Sequence, residues 1–209
     1  MSNIVITGAN RGIGLELARH YAAKGHRVYA CCRDATKATD LADLAKTQDV
    51  HLLEVAVGDG DSVAALAQQL SDVPVDMLVN NAGPGGPARE EQSALVMDFE
   101  GWADTLNINT FAPVRVMQAL LPNLRAAESP KVVNITSQMG ALSLDMTVAY
   151  AYCTSKAALN KFMRMAASEL ADEGILVCLI HPGWVQTDMG GQSAALTPTE
   201  SAQGIISTV

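Results

Sequence analysis

Six short apolar runs constrain this chain more than any other feature: Asn3–Thr7, Arg27–Cys32, His51–Val57, Asp76–Asn80, Lys131–Thr136 and Leu176–His181. They are nearly continuous in Val, Ile, Leu, Cys and Ala. A strand that faces water on one side alternates apolar with polar residues. One buried on both faces does not, and such strands belong to parallel sheets covered by helices.

The stretches between the runs supply those helices. Ile13, Leu17 and Tyr21 recur at four-residue spacing, as do Val63, Leu66, Ala67 and Leu70. Longer helices are expected over Trp102–Leu121 and Ala149–Glu173. Alternating strands and helices imply an α/β fold, a single doubly wound parallel sheet of Rossmann type with helices on both faces. Thr197-Pro198-Thr199-Glu200 reads as a capping box with proline at the first helical position, so a last helix starts there. The chain stops within it, at Val209. Residues 1–209 are thus expected to form one domain lacking a final C-terminal strand.

A length of 209 residues, 49% of them hydrophobic, suits one domain with a substantial core. The net charge of −8 argues against a nucleic-acid or anionic-membrane partner. No apolar run approaches the ~20 residues of a membrane span, and Met1-Ser2-Asn3 leads straight into the first strand, without an export signal. A cytoplasmic location is expected. The four cysteines (31, 32, 153, 178) and four histidines (20, 26, 51, 181) show no metal-ligand spacing. No metal is expected, and free thiols in a reducing compartment are.

Thr7-Gly8-Ala9-Asn10-Arg11-Gly12-Ile13-Gly14 follows the first strand. Glycines at a strand-to-helix turn let backbone N–H groups face an anion. Gly8 permits the turn, Gly12 the approach of a pyrophosphate and Gly14 close packing of the helix. The spacing is G-x-x-x-G-x-G, not the G-x-G-x-x-G of the standard dinucleotide fingerprint. Arg11 lies in this loop, and Arg33 follows the second strand, where an acidic residue would accept the ribose 2′-hydroxyl of NAD. With Cys32 before it and no carboxylate there, two guanidiniums suit a 2′-phosphate. NADP(H) is therefore preferred, with NAD(H) as the alternative. Asp34 is positioned to neutralise Arg33 in part.

Tyr152 and Lys156 are four residues apart, which in a helix puts them on one face. A free tyrosine, with a pKa near ~10, is a poor acid–base group at neutral pH. Lowering it toward ~7 needs roughly 4 kcal/mol of differential interaction, part of which a nearby ammonium supplies. Ser137 upstream offers a second hydroxyl to the same substrate oxygen.

The glycine loop, Asn80-Asn81-Ala82-Gly83 after the fourth strand, and Tyr152/Lys156, in that order, resemble the short-chain dehydrogenase/reductases, most of all the small C-factor-type and sniffer-type carbonyl reductases. The resemblance implies hydride transfer between a nicotinamide cofactor and a carbonyl or alcohol. Tyr152 would be the general acid or base, Lys156 its electrostatic partner and a ribose ligand, and Ser137 the polariser of the carbonyl. Asn109 would support a proton relay to Lys156; Asn107 competes for that role, but the following Thr-Phe-Ala-Pro favours Asn109. Gly8, Asn10, Arg11, Gly12, Ile13, Gly14, Arg33, Asn81, Ala82 and Gly83 would contact the adenosine half of the cofactor. Pro182, Gly183, Val185 and Thr187, with Tyr152 and Lys156, would contact the nicotinamide half. The resemblance also implies a homodimer or homotetramer built on the two long helices.

The chain departs from the family pattern at Ala56, where an aspartate usually bonds adenine, and in a slightly long stretch between Ser137 and Tyr152. Pro84-Gly85-Gly86, Gln138-Met139, Asp145-Met146, Trp184 and Met189 are the expected pocket lining. With no lysine or arginine among them, they suit a small apolar or aromatic carbonyl compound or alcohol. Residues 189–195, small and glycine-rich, read as a mobile lid. Reduction of a carbonyl is the function expected, with alcohol oxidation as its reverse. A nucleotide-binding sensor or signalling protein of C-factor type with little turnover is the alternative.

Overall fold

The computed structural model describes residues 1–209. Six parallel strands, β1 (Asn3–Thr7), β2 (Arg27–Cys32), β3 (Val50–Glu54), β4 (Met77–Asn80), β5 (Lys131–Ile135) and β6 (Leu176–Ile180), form one sheet in the order β3-β2-β1-β4-β5-β6. Chain order reverses between β1 and β4. In such sheets ligands bind outside the carboxyl ends of the strands at this switch point.

Helices α1 (Gly12–Ala23), α2 (Thr39–Ala45), α3 (Gly60–Gln69), α4 (Phe99–Leu106), α5 (Ala112–Ala119), α6 (Leu121–Arg125), α7 (Tyr150–Glu169) and α8 (Pro198–Thr208) cover both faces. Alternate residues of each buried strand feed two cores. Val5, Leu78 and Val132 point to one, with Leu66, Leu120 and Leu159. Ile4, Ile6, Val79 and Val133 point to the other, with Leu17 and Ile205. The continuous apolar runs follow from that double burial.

Several boundaries differ from the expected ones. Strand β3 starts one residue early and ends at Glu54: Val55 N–H still bonds Cys32 O of β2, but Ala56 N–H turns away to Ser62 Oγ. The strands β4, β5 and β6 are each one residue shorter than read, Asp76, Thr136 and His181 lying outside them. The helix expected over 102–121 is not continuous. A π turn, Asn107–Phe111, joins α4 to α5, and a break at Leu120 precedes α6. Pro113 has no N–H to give the Asn109 carbonyl four residues earlier, and Pro122 repeats the defect. Helix α7 stops at Glu169, and a 3₁₀ turn, Ala171–Glu173, ends at Gly174 with φ 72°. The capping box at Thr197 and Glu200 forms as expected.

A buried amide pair ties the sheet together beneath the switch point. Asn80 Nδ2 donates to Asn134 Oδ1 (2.9 Å), and Asn134 Nδ2 donates to Cys178 O (3.1 Å). Both side chains are buried, so losing one partner strands the other away from water. Asn134→Leu should lower unfolding stability by about 1–3 kcal/mol. Urea denaturation measures this, and an unchanged midpoint would contradict it.

Candidate active site

The glycine loop bends from β1 into α1 in a cramped space. Gly8 has φ +65°, and a Cβ on Gly14 would lie 2.4 Å from Gly8 O. Asn81, just past the end of β4, clamps this turn, its Nδ2 donating to Thr7 O and Gly8 O, both at 3.0 Å. Its Nδ2 is thus committed to holding the loop. Asn10 is half-buried, and Ile13 packs on the core under α1. At the start of α1, Arg11 provides no side-chain cap and the first turn has no acidic residue. Its N–H groups are thus available to an anion.

The two arginines part company. Arg11 is ion-paired with exposed Asp188. Arg33 is exposed at the end of β2. Asp34 does not neutralise it: that carboxylate takes Lys37 Nζ at 2.7 Å and Thr36 N–H and Oγ1, which hold it at about 2.

Loop and helix meet closely at the catalytic side. A Cβ on Gly140, in the 3₁₀ turn after Ser137, would lie 2.7 Å from the Lys156 carbonyl carbon. Thr136 Oγ1 also bonds Asn160 Oδ1 at 2.5 Å, one helical turn beyond Lys156. These contacts bring Ser137 and Tyr152 together over Lys156. Neither Gly140 nor Asn160 was singled out in the sequence. The one available signal for Asn160 is its i+4 position on the Lys156 face.

Lys156 is 5% exposed and donates to Ile135 O at 2.8 Å, with its ammonium 5.7 Å from the Tyr152 ring centre. Burial lowers its pKa to about 8. Burial also raises the Tyr152 phenol, and the neighbouring Ser137 hydroxyl offsets that in part. Burial is the largest influence on this phenol, and the only group that lowers it is Ser137. Asn109 is fully buried, its Nδ2 donating to Pro84 O and Ser155 Oγ (3.0 Å each), while its Oδ1 has no partner. A Cβ on Gly83 would lie 2.6 Å from that Oδ1 and 3.8 Å from Lys156 Nζ. Asn107 turns away, to Gly58 O and Arg115.

The segment after β6 closes the other side. Val185 is buried and bridges Leu196; Thr187 Cγ2 would sit 3.2 Å from a Cβ on Gly12. Pro182 O accepts Ser201 Oγ of α8, and a Cβ on Gly183 would strike Leu196. Residues 189–195, expected to be a mobile lid, are tied down. Trp184 Nε1 bonds Gly190 O, Gly191 N–H bonds Thr187 O, and Gln186 Nε2 bonds Ala194 O. Gly190 serves close packing, since a Cβ there would lie 2.0 Å from Val185 O, while Gly191 supplies a left-handed turn at φ 72°.

The residues fit a dinucleotide. Uncapped helical N–H groups lie beside a glycine turn with no room for side chains, and an orphaned buried oxygen lies beside a buried ammonium. Gly8–Gly14 would hold its pyrophosphate, Arg33 its ribose end, and Val185, Thr187 and Lys156 its nicotinamide half. Between about pH 8 and 10.5 the unfolded chain holds a proton on Lys156 that the folded one does not, so this residue's contribution to stability rises with pH there. The stability difference between wild type and Lys156→Met should therefore move in favour of wild type by about 3 kcal/mol over that window. Parallel urea titrations measure it, and a pH-independent difference would refute it.

A family model for the short chain dehydrogenases matches residues 2–196. The C-signal of Myxococcus xanthus is 42% identical over 147 residues, covering 69% of this chain and 86% of that one. The carbonyl reductase Sniffer of D. melanogaster superposes with a TM-score of 0.92 at 33% identity, covering 100% of this chain and 91% of that one. A carbonyl reductase of Pseudomonas aeruginosa in complex with NADP gives 0.88 at 34% identity, covering 100% and 90%. The order of the sheet, the glycine turn and these matches agree: the chain belongs to the short-chain dehydrogenase family and is an NAD(P)-dependent oxidoreductase acting on carbonyl or alcohol groups.

Proposed function

We propose that this protein reduces small, uncharged carbonyl compounds with NADPH, and that Tyr152 delivers the proton. The observation that carries the reading is the convergence of Ser137 and Tyr152 over buried Lys156, at the carboxyl ends of β5 and β6. When bound, NADPH supplies the hydride for the carbonyl carbon. Ser137 and Tyr152 donate to the carbonyl oxygen, and the Tyr152 proton moves to it as negative charge develops. Burial keeps that proton on the phenol at neutral pH, which suits the reductive direction. Lys156 then faces the phenolate, and Asn109 Oδ1 offers a free hydrogen-bond acceptor beside it, which would orient a donor that returns a proton to Tyr152. Alcohol oxidation would run the same steps in reverse.

Arg33 is the residue read as selecting NADPH, since Asp188 engages Arg11 and Asp34 is held by Lys37. Exposed Phe111, Phe162 and Met165, where the π turn packs along α7, support a face that pairs with a second copy, in a homodimer or homotetramer. The four free thiols suit the cytoplasm. A signalling role with little turnover is the second reading, favoured by the identity to C-signal; the complete Ser137–Tyr152–Lys156 set weighs against it.

NADPH consumption over a panel of ketones, aldehydes and quinones tests the reading. Tyr152→Phe should abolish turnover on any active compound while NADPH still binds. Binding without turnover on every compound would favour the signalling role. Arg33→Ala should raise the NADPH Kd about tenfold or more, the loss of one charge-assisted contact, and leave the NADH Kd unchanged. Equal effects on both would remove Arg33 from selectivity.

A further inference from the structure

Helix α7 starts without a cap of its own. Ala149 precedes it at φ 51°, ψ 48°, the one non-glycine residue with positive φ, and the first turn has no acidic side chain. Helical N–H groups at such an end need partners from elsewhere. The buried Ala151 N–H, immediately before Tyr152, finds one in Gln92 Oε1 at 3.0 Å. The same amide donates through Nε2 to Pro87 O at 2.5 Å.

Gln92 is an unusual residue for its place. It sits in a tight turn where Asp98 N–H bonds Glu91 O, Ser93 N–H bonds Val96 O and Gln92 bridges Met97. Leu95 and Val96 of that turn are exposed, at 94% and 58%, while Gln92 is only 5% exposed. The polar residue turns inward and the apolar ones outward, the reverse of what solubility favours. Inward, it joins two parts of the site. The loop carrying Pro84 also receives the Asn109 amide, and a Cβ on Gly86 would lie 3.3 Å from Ala151 Cβ.

We propose that Gln92 is a positioning residue for proton transfer: its one amide, bonded to both the Pro87 carbonyl and the Ala151 N–H, sets where Tyr152 stands against the substrate oxygen. The proposal rests on the reading of Tyr152 as the acid. Other contacts hold the helix in place, including Trp102 Nε1 to Thr154 Oγ1 at 2.8 Å, so the fold does not hang on Gln92 alone.

Gln92→Met keeps the volume and removes both bonds. It should lower kcat about 10- to 100-fold, the scale of an ångström-sized misplacement, with KM, NADPH affinity and melting temperature little changed. Gln92→Glu separates positioning from packing. An ionised carboxylate accepts from Ala151 but cannot donate to Pro87 O. A protonated one does both, as the amide does. The acids beside it are Glu91, bonded to Ala88 N–H, Asp98, bonded to Gly101 N–H, and exposed Glu90; Arg89, the Cys153 thiol, bonded to Val148 O, and the phenols of Tyr150 and Tyr152 are the other titratable groups nearby. The Gln92→Glu rate relative to wild type should therefore climb toward one as pH falls, while the Gln92→Met ratio stays level. Wild-type kcat in Gln92→Met, an equal loss of NADPH affinity, or a flat Gln92→Glu ratio would overturn the proposal. If Gln92→Met fails to fold, the Gln92→Glu profile decides. Turnover persisting in Tyr152→Phe would instead sink the acid assignment beneath it.

Discussion

An ammonium held out of water in the seam between β5 and α7 is the constraint on which this site depends. Lys156 is almost fully buried, and its one hydrogen bond is to a strand carbonyl, Ile135 O. Burial of a lysine costs stability, visible in a pKa lowered to about 8. The fold offsets this elsewhere, through the double core on either side of the sheet and the closeness of Gly140 to the helix. A site whose parts are strained against folding is one assembled for something other than stability.

Three other features answer to that seam. The π turn at 107–111, forced by Pro113, carries Asn109 inward, where it bonds Ser155 next to Lys156. Ser137 ends up beside Tyr152 because Gly140 and the Thr136–Asn160 bond draw the β5 loop onto α7. The glycine turn faces the same crevice across the switch point, secured by Asn81. Positioning is thus distributed over several loops, with the sheet as the common rigid support.

Local patterns were legible in the sequence, and long-range partnerships were not. The doubly wound sheet follows from apolar runs whose meaning needs only near neighbours. The shared face of Tyr152 and Lys156 follows from helical spacing alone. Pro113 was visible as a helix breaker, yet the expected helix over 102–121 ran through it, because apolar periodicity on both sides masked the π turn. Residues 189–195 looked flexible since glycine and alanine are small; their bonds to Val185–Thr187 depend on a loop closing on itself, which composition cannot reveal. Arg11 and Asp188, 177 residues apart, met unannounced for the same reason. Gln92 carried no motif. The burial that raises the Tyr152 phenol depends on depth, and depth is a property of the fold rather than of local spacing.

The most direct test of the account is the pH dependence of kcat/KM for NADPH-driven reduction of one good substrate. If Tyr152 acts as a protonated acid beside a buried ammonium, the rate should stay level through neutrality and fall as pH rises above about 8, where Lys156 and then Tyr152 lose their protons. A rate that climbs with pH across the neutral range would mean that the active form is a deprotonated base, and would contradict the account.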